Sequence, residues 1–305
     1  DNAIEEIVYF HGKYHFNLLL VYDELFSTRK ERITEFCTKI KKVKSDLKSD
    51  FDWTCALRVN NVDKSVLAEM KDAGCIFIGY GFESASPTVL KSMKKGIIVD
   101  QIRRAIKLTD EAGLGVQASF IFGDIAETPE TMHETLEFFN TWCTDNIVHL
   151  GPIVPYPGSK LFEHCINNGI IKDKKQYYDQ IGGVGRYKIN MTKMPDEEYF
   201  DLSNNIFKIT DPLIHDYLPL KEAKILSCKQ AGLFKFDLNA PLTSHRFLYD
   251  IKVNCPHCNE EVTYLYPLRT TRQDQSGILR LFCAKCHKRF NINISDYNNG
   301  HSANV

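Results

Sequence analysis

The sequence lacks a long hydrophobic run and carries almost no net charge. The apolar stretch Phe16–Val21 is far too short to cross a bilayer, which takes about 20 apolar residues. No signal peptide opens the chain, so a cytoplasmic protein without a membrane partner is expected. Lysine and arginine number 38 against 39 acidic residues, a formal charge of −1. This balance gives no general reason to expect nucleic acid as a partner.

The ten cysteines do not form the pattern of a disulfide-rich secreted protein. Six are scattered singly through apparent helices and strands, and four form two CxxC pairs near the C-terminus. This distribution favours a reducing compartment and one metal site.

Strand-length apolar runs alternate with amphipathic helices over the first part of the chain. Residues 74–86 show the unit clearly: Gly74 ends a helix, a strand follows, and Ser86-Pro87 begins the next helix as N-cap and first helical residue. Five such strands are expected, so the fold class is α/β with parallel strands and right-handed crossovers.

Changes in the pattern divide the chain into four segments. Residues 1–172 contain the alternating strands and helices, and residues 173–248 are expected to form a helical or loop connector. Residues 249–295 contain short alternating strands around the CxxC pairs. Residues 296–305 are polar and are expected to be disordered.

Polar side chains occur where the predicted strands end, and in a parallel barrel reactive groups lie at these ends. The first candidates are Asp23, Glu24 and Arg58, which could also form structural ion pairs or complement a helix dipole. Glu83 follows a long apolar run and two glycines, and it is the strongest functional candidate. Gly79-x-Gly81 lacks the third glycine of a dinucleotide fingerprint, so a dinucleotide fold is disfavoured. Further strand ends are residues 117–127 and 155–159.

The paired motifs Cys255-Pro-His-Cys258 and Cys283-Ala-Lys-Cys286 predict a tetrahedral zinc site in a zinc ribbon. An auxiliary iron–sulfur cluster is the alternative. His257 is interpreted as a surface residue, because cysteine fills all four expected ligand positions.

Seven motifs occur in order over residues 1–200. They are Asp23-Glu24-Leu25-Phe26, Arg58 ahead of Val62-Asp63, Met70-x-x-Ala73-Gly74-Cys75, Gly81-Phe82-Glu83-Ser84-x-Ser86, Lys95-Gly96, Phe120-Ile121-Phe122-Gly123 with Glu127-Thr128-x-Glu130-Thr131, and Pro155-Tyr156-Pro157-Gly158-Ser159. Together they resemble the radical S-adenosylmethionine (radical SAM) enzymes, in particular the branch often fused to a cobalamin-binding domain.

The resemblance implies a partial parallel (βα)6 barrel that binds S-adenosylmethionine. In that family a CxxxCxxC loop after the first strand holds a [4Fe–4S] cluster, and an electron from an external donor cleaves S-adenosylmethionine to start radical chemistry. This sequence contains no CxxxCxxC. We therefore expect an enzyme fragment that is inactive alone, with the first strand and the cluster ligands upstream of Asp1.

The substrate and the reaction stay open, and cobalamin-dependent methyl transfer is one possibility. The alternative function is a catalytically inactive barrel that presents the zinc ribbon to a protein or nucleic-acid partner.

The resemblance also assigns site residues, although it singles out no catalytic residue. Asp23 and Glu24 match the motif that contacts the methionine part, and Glu83 and Ser84 match the position associated with the ribose and amino-acid part. Residues 119–123 match the segment that lines the adenine.

Four further residues complete the set of cofactor-binding candidates: Arg58, Ser119, Gly123 and Pro155. The family's Gly-x-Pro-Gly-Glu-Thr is replaced here by residues 123–128, Gly-Asp-Ile-Ala-Glu-Thr, which changes the turn after the predicted fourth strand.

Overall fold

Five parallel strands form the central sheet of the N-terminal part, in the order in which they occur in the chain. They are β1 (Leu18–Val21), β2 (Asp52–Ala56), β3 (Cys75–Glu83), β4 (Gly115–Phe122) and β5 (Ile147–Pro152). The computed structural model describes residues 2–23, 26, 29–49, 51–144, 146–181, 189–209, 223–231, 246–265, 278–283, 285–286 and 288–293. The predicted α/β class is confirmed, and the parallel sheet is consistent with a partial radical SAM barrel.

Helices connect the strands and continue beyond the sheet. They are α1 (Asn2–Tyr14), α2 (Lys30–Leu47), α3 (Lys64–Asp72), α4 (Pro87–Ser92), α5 (Val99–Glu111), α6 (Pro129–Trp142), α7 (Lys160–Asn167), α8 (Lys174–Ile181) and α9 (Asp196–Ile209), with a 3₁₀ turn at Val59–Asn61. In the described part of the chain, no helix is both long enough and apolar enough to cross a membrane.

Local signals in the sequence account for the helix ends. Gly74 has φ +85° and ends the turn after α3, as predicted for a left-handed residue at this position. The Asp63 carboxylate accepts hydrogen bonds from the backbone N–H groups of Ser65 and Val66 at the start of α3. Ser86 occupies the predicted N-cap of α4 ahead of Pro87, but its hydroxyl makes no capping hydrogen bond.

The two faces of the sheet have different environments because strand residues alternate between them. On one face, Trp53, Ile78, Phe82 and Phe120 are fully buried in a core shared with the helices. The opposite face, here called the open face, is more exposed. Its residues include Thr54, Gly79, Gly81, Ser119 and His149.

A second core lies beyond β5. It joins α7, α8 and residues 189–191 through a cluster of Ile153, Phe162, Cys165, Ile171, Tyr177, Ile189 and Met191. The α8 helix therefore packs against α7, although it lies in the segment predicted as a helical or loop connector.

The C-terminal part contains two antiparallel arrangements. Strands β6 (Ala223–Ala231), β7 (Arg246–Asn254) and β8 (Glu261–Leu265) form one sheet, and β9 (Ile278–Phe282) pairs with β10 (Arg289–Asn293). Apolar residues of β7, β9 and β10 share a buried cluster: Ile251, Val253, Leu281, Phe290 and Ile292. The predicted zinc ribbon agrees with this architecture.

The predicted connector differs from the structure in one respect. Helices α8 and α9 lie in it as expected, but β6 is a strand, and β7 begins at Arg246 ahead of the predicted boundary at residue 249. Pairing with a partner strand distant in sequence determines β6, so its own short pattern did not reveal it. The predicted tail at residues 296–305 lies outside the described residues.

Candidate active site and candidate metal centre

Most predicted cofactor-binding residues lie at or near the C-terminal ends of the strands. Asp23 follows β1, Arg58 follows β2, Glu83 ends β3 and Gly123 follows β4. Pro155 comes three residues after β5, and Ser119 lies within β4 on the open face. Glu24 lies outside the described residues.

Glu83 is held in an uncommon backbone conformation at the end of β3. Its φ is +64°, and the pairing with β4 is irregular between Gly81 and Glu83. Its Oε1 accepts a hydrogen bond of 2.7 Å from Lys95 Nζ, and both side chains are partly exposed. A left-handed conformation in a non-glycine residue costs free energy and is concentrated at functional sites.

The Glu83–Lys95 pair lies directly over the backbone of Gly81. A Cβ atom at Gly81 would be 2.5 Å from Glu83 Oε1 and 2.9 Å from Lys95 Nζ. A side chain at this position would therefore displace the carboxylate and the ammonium from the positions that they hold over the Gly81 backbone. Lys95 belongs to a motif quoted above but was not selected as a site residue, because helix α4 separates it from Glu83 in the chain.

Ser84 points away from the open face and into the core. It is 1% exposed, its Oγ is 3.1 Å from Thr135 Oγ1, and it accepts a hydrogen bond from the N–H of Ser86. The N–H of Ala85 also donates to Thr135 Oγ1. This network fixes the chain beyond Glu83, so the geometry favours a supporting role for Ser84 over ligand contact.

Ser119 lies at the centre of the open face. It is in register with Gly81 of β3 and with His149 of β5. The His149 imidazole covers Gly151, since a Cβ there would lie 2.6 Å from His149 Nε2. The sequence analysis did not select His149; the alternation of buried and exposed residues in β5 was the signal that could have placed it on this face.

The turn after β4 is held by a buried carboxylate. Glu127 Oε2 accepts hydrogen bonds from the backbone N–H of Gly123 and from that of Asp124. Glu127 is 2% exposed, and burial raises its pKa to about 7 despite these hydrogen bonds. The turn thus keeps a defined shape although the family's proline and second glycine are absent.

The other candidates make structural contacts. Asp23 Oδ2 accepts a 2.5 Å hydrogen bond from Arg32 Nη2 of α2, a partner that the sequence did not suggest. Arg58 is exposed at the start of the 3₁₀ turn. The Pro155 carbonyl accepts a 2.8 Å hydrogen bond from the Tyr177 hydroxyl.

The four cysteines of the CxxC pairs form a candidate metal centre. Their sulfur atoms all lie within 4.8 Å of one another. Cys255 Sγ is 3.7 Å from Cys286 Sγ, and Cys258 Sγ is 3.6 Å from Cys283 Sγ. A tetrahedral zinc with Zn–S bonds of about 2.3 Å places its sulfurs roughly 3.8 Å apart, so the thiols fit this ion.

Backbone hydrogen bonds lower the pKa of one of these thiols, whereas burial raises the pKa of Cys255 and of Cys286. The N–H of His257 donates to Cys255 Sγ and the N–H of Lys285 donates to Cys283 Sγ, each at 3.4 Å. Burial opposes ionisation of Cys283, but hydrogen bonds from the N–H groups of Cys286 and Lys285 and from neighbouring thiols lower its pKa.

The cysteines of the barrel do not form a comparable group. Cys37, Cys55, Cys75, Cys143 and Cys165 are each buried and free. Burial raises the pKa of Cys37 and of Cys143 to about 12, so both stay neutral thiols. Among the described residues, only the four C-terminal cysteines satisfy the geometry of a metal site.

Two curated proteins are similar to more than half of this chain. The chain is 32% identical over 171 residues to the uncharacterized methyltransferase PH0819 of Pyrococcus horikoshii, covering 56% of this chain and 36% of that protein. It is 28% identical over 177 residues to the anaerobic magnesium-protoporphyrin IX monomethyl ester cyclase of Rubrivivax gelatinosus, covering 57% and 31%. The chain thus spans about a third of the length of these curated relatives.

The similarity to solved structures is low. The radical S-adenosylmethionine methyltransferase TsrM of Kitasatospora setae has a TM-score of 0.44 and 16% identity, covering 49% of this chain and 28% of that one. Residues 2–139, which contain β1 to β4 and their helices, match the Radical SAM superfamily. This match confirms the resemblance to the radical SAM enzymes over residues 2–139, somewhat less than half of the chain.

Proposed function

We propose that residues 1–172 form the S-adenosylmethionine-binding part of a radical SAM enzyme that modifies an unidentified substrate. Reductive cleavage of S-adenosylmethionine by a [4Fe–4S] cluster is the chemistry that the superfamily implies. An external electron donor and a cytoplasmic location belong to the same proposal.

The observation that carries this proposal is the Glu83–Lys95 pair over Gly81. The pair places a carboxylate and an ammonium side by side at the C-terminal edge of a parallel sheet, where ligands of such folds bind. The amino acid part of S-adenosylmethionine carries the complementary groups, an ammonium and a carboxylate.

We assign complementary roles to the two side chains. Lys95 would donate to the ligand carboxylate, and Glu83 would accept from the ligand amino group or a ribose hydroxyl.

The residues of this barrel do not fit an iron–sulfur cluster. Its described cysteines are buried and form no group of three or more thiols, and the sequence has no CxxxCxxC. We therefore propose that the cluster ligands lie outside residues 1–305 and derive no step through the cluster.

The four C-terminal cysteines would hold zinc as a structural ion. All four coordination positions are filled by Cys255, Cys258, Cys283 and Cys286, which leaves no open position for a substrate or water. The zinc ribbon is proposed to extend over residues 249–295 and the connector over residues 173–248.

Methyl transfer is the reaction that we favour within the superfamily. The relative PH0819 and two bacteriochlorophyllide relatives of Chlorobaculum tepidum are named methyltransferases. Cobalamin dependence would require a further domain, and no residue of this chain is assigned to it.

Binding of S-adenosylmethionine to the cluster-loaded natural protein tests the proposal. Replacing Glu83 by Gln should weaken binding by about 1–3 kcal/mol, because a charged hydrogen-bonding group loses its partner. Glu35→Gln is the matched control, since Glu35 also pairs with a lysine, Lys39, but on the exposed surface of α2.

Equal affinities for Glu83→Gln and its parent would refute the assigned role. Absence of binding to the parent protein would refute the proposed function and favour the inactive binding module.

A further inference from the structure

Helix α9 lies beyond the stretch that matches the superfamily, yet it contacts the end of β4. The Tyr199 hydroxyl donates to the Phe122 carbonyl at 3.3 Å, and the Tyr199 side chain is buried. The Phe207 ring lies 6.2 Å from the Phe122 ring. Two side chains of α9, about two helical turns apart, therefore contact Phe122, the residue that precedes the turn after β4.

Tyr199 also fixes the position of Gly123. Gly123 has φ +112°, and a Cβ added to it would lie 2.5 Å from the Tyr199 hydroxyl oxygen and 3.0 Å from Ile153 Cγ2. The N–H of Gly123 is bound by the Glu127 carboxylate. The peptide between Phe122 and Gly123 is thus held at its N–H by Glu127 and at its carbonyl by two donors, the Tyr199 hydroxyl and the backbone N–H of Ile153 at 2.8 Å.

We propose that Tyr199 is a positioning residue of the S-adenosylmethionine site. By binding the Phe122 carbonyl, it sets the backbone of residues 119–123, the segment expected to line the adenine. This inference rests on the proposed function and adds to it that α9, outside the matched stretch, is part of the site. The Tyr199 hydroxyl acts through the backbone and does not contact the ligand.

The geometry explains why the hydroxyl matters beyond packing. A planar peptide passes any rotation at its carbonyl directly to the adjoining N–H, because the amide bond does not turn freely. Without the Tyr199 hydroxyl, the Phe122 carbonyl would keep only the Ile153 N–H as a donor, and the freer rotation of the peptide would loosen the hydrogen bond of Gly123 N–H to Glu127 as well. Phenylalanine at position 199 would retain the ring and remove only this bond.

The test compares Tyr199→Phe with Tyr80→Phe in the cluster-loaded natural protein. Tyr80 is a matched control, since its hydroxyl is also buried and hydrogen-bonded, to Thr109 Oγ1 at 2.8 Å, but on the covered face of the sheet. Both variants lose one buried tyrosine hydrogen bond, so their melting temperatures should fall by similar amounts.

Two measurements distinguish positioning from general stability. In Tyr199→Phe, the Gly123 amide should exchange its hydrogen about three- to tenfold faster, and the Kd for S-adenosylmethionine should rise by a similar factor. Tyr80→Phe should change neither. Unchanged exchange at Gly123, or faster exchange with an unchanged Kd, would overturn the inference.

Failure of the parent protein to bind S-adenosylmethionine would refute the proposed function instead. The exchange measurement would then still decide whether Tyr199 orders the turn.

Discussion

The buried carboxylate of Glu127 makes the stability of the barrel depend on pH. Glu127 is 2% exposed, and burial raises its pKa from 4.5 to about 7. Its Oε1 has no hydrogen-bond partner among the described residues, while Oε2 accepts from Gly123. The folded protein therefore keeps this carboxyl protonated at pH values where the unfolded chain ionises it.

The sign and size of the effect follow from linkage. Below pH 4.5 the carboxyl is neutral in both states, so it causes no loss of stability. Between pH 4.5 and about 7 only the unfolded state releases its proton, and stability falls as the pH rises. Above pH 7 the full cost is present, and a pKa raised from 4.5 to about 7 corresponds to about 3 kcal/mol.

Replacing Glu127 by Gln removes the ionisation and keeps an oxygen that accepts from Gly123. The difference in the free energy of unfolding between Glu127→Gln and the parent should therefore shift in favour of the variant by up to about 3 kcal/mol from pH 4.5 to pH 8. Urea unfolding at a series of pH values measures this, with fluorescence of the buried Trp53 as the probe.

Glu137→Gln on the exposed side of α6, the helix that follows this turn, controls for the substitution itself. Because each variant is compared with its parent at the same pH, the titration of all other groups cancels. A stability difference that stays constant from pH 4.5 to pH 8 would refute the reasoning.

The remaining predictions concern the metal centre and the open face. The chain should bind about one zinc, and Cys283→Ser should lose it while Cys165→Ser keeps it; an iron-dependent visible absorbance would contradict the zinc assignment. Gly81→Ala should weaken S-adenosylmethionine binding at least about tenfold with a small change in melting temperature, because its Cβ displaces the Glu83–Lys95 pair. Gly79→Ala is the control, since its Cβ would make only ordinary contacts of 3.5–3.6 Å, and equal effects of the two variants would contradict the account.

Local patterns in the sequence were sufficient to predict the sheet and several element ends. The number of strands in the parallel sheet and the helix start at Ser86-Pro87 agree with the prediction, because apolar periodicity and flanking residues are strong signals there. Gly74 adopts the left-handed conformation expected of a helix-ending glycine.

Contacts between residues distant in the chain could not be predicted in this way. The Glu83–Lys95 pair forms across helix α4, and Tyr199 reaches Phe122 from 77 positions away. Ser84 illustrates the same limit: its motif suggests ligand contact, whereas Thr135 of α6 draws its hydroxyl into the core. The sequence reveals which side chains are available at a strand end, and tertiary packing decides which of them face the ligand.

Production of 5′-deoxyadenosine tests the central claim most directly. The natural protein that contains residues 1–305 should be reconstituted with iron and sulfide, reduced in the presence of S-adenosylmethionine, and analysed for this product. The account predicts 5′-deoxyadenosine from that protein and none from residues 1–305 alone. Absence of the product from the reconstituted natural protein, with its cluster shown to be present, would contradict the assignment of this chain to radical chemistry.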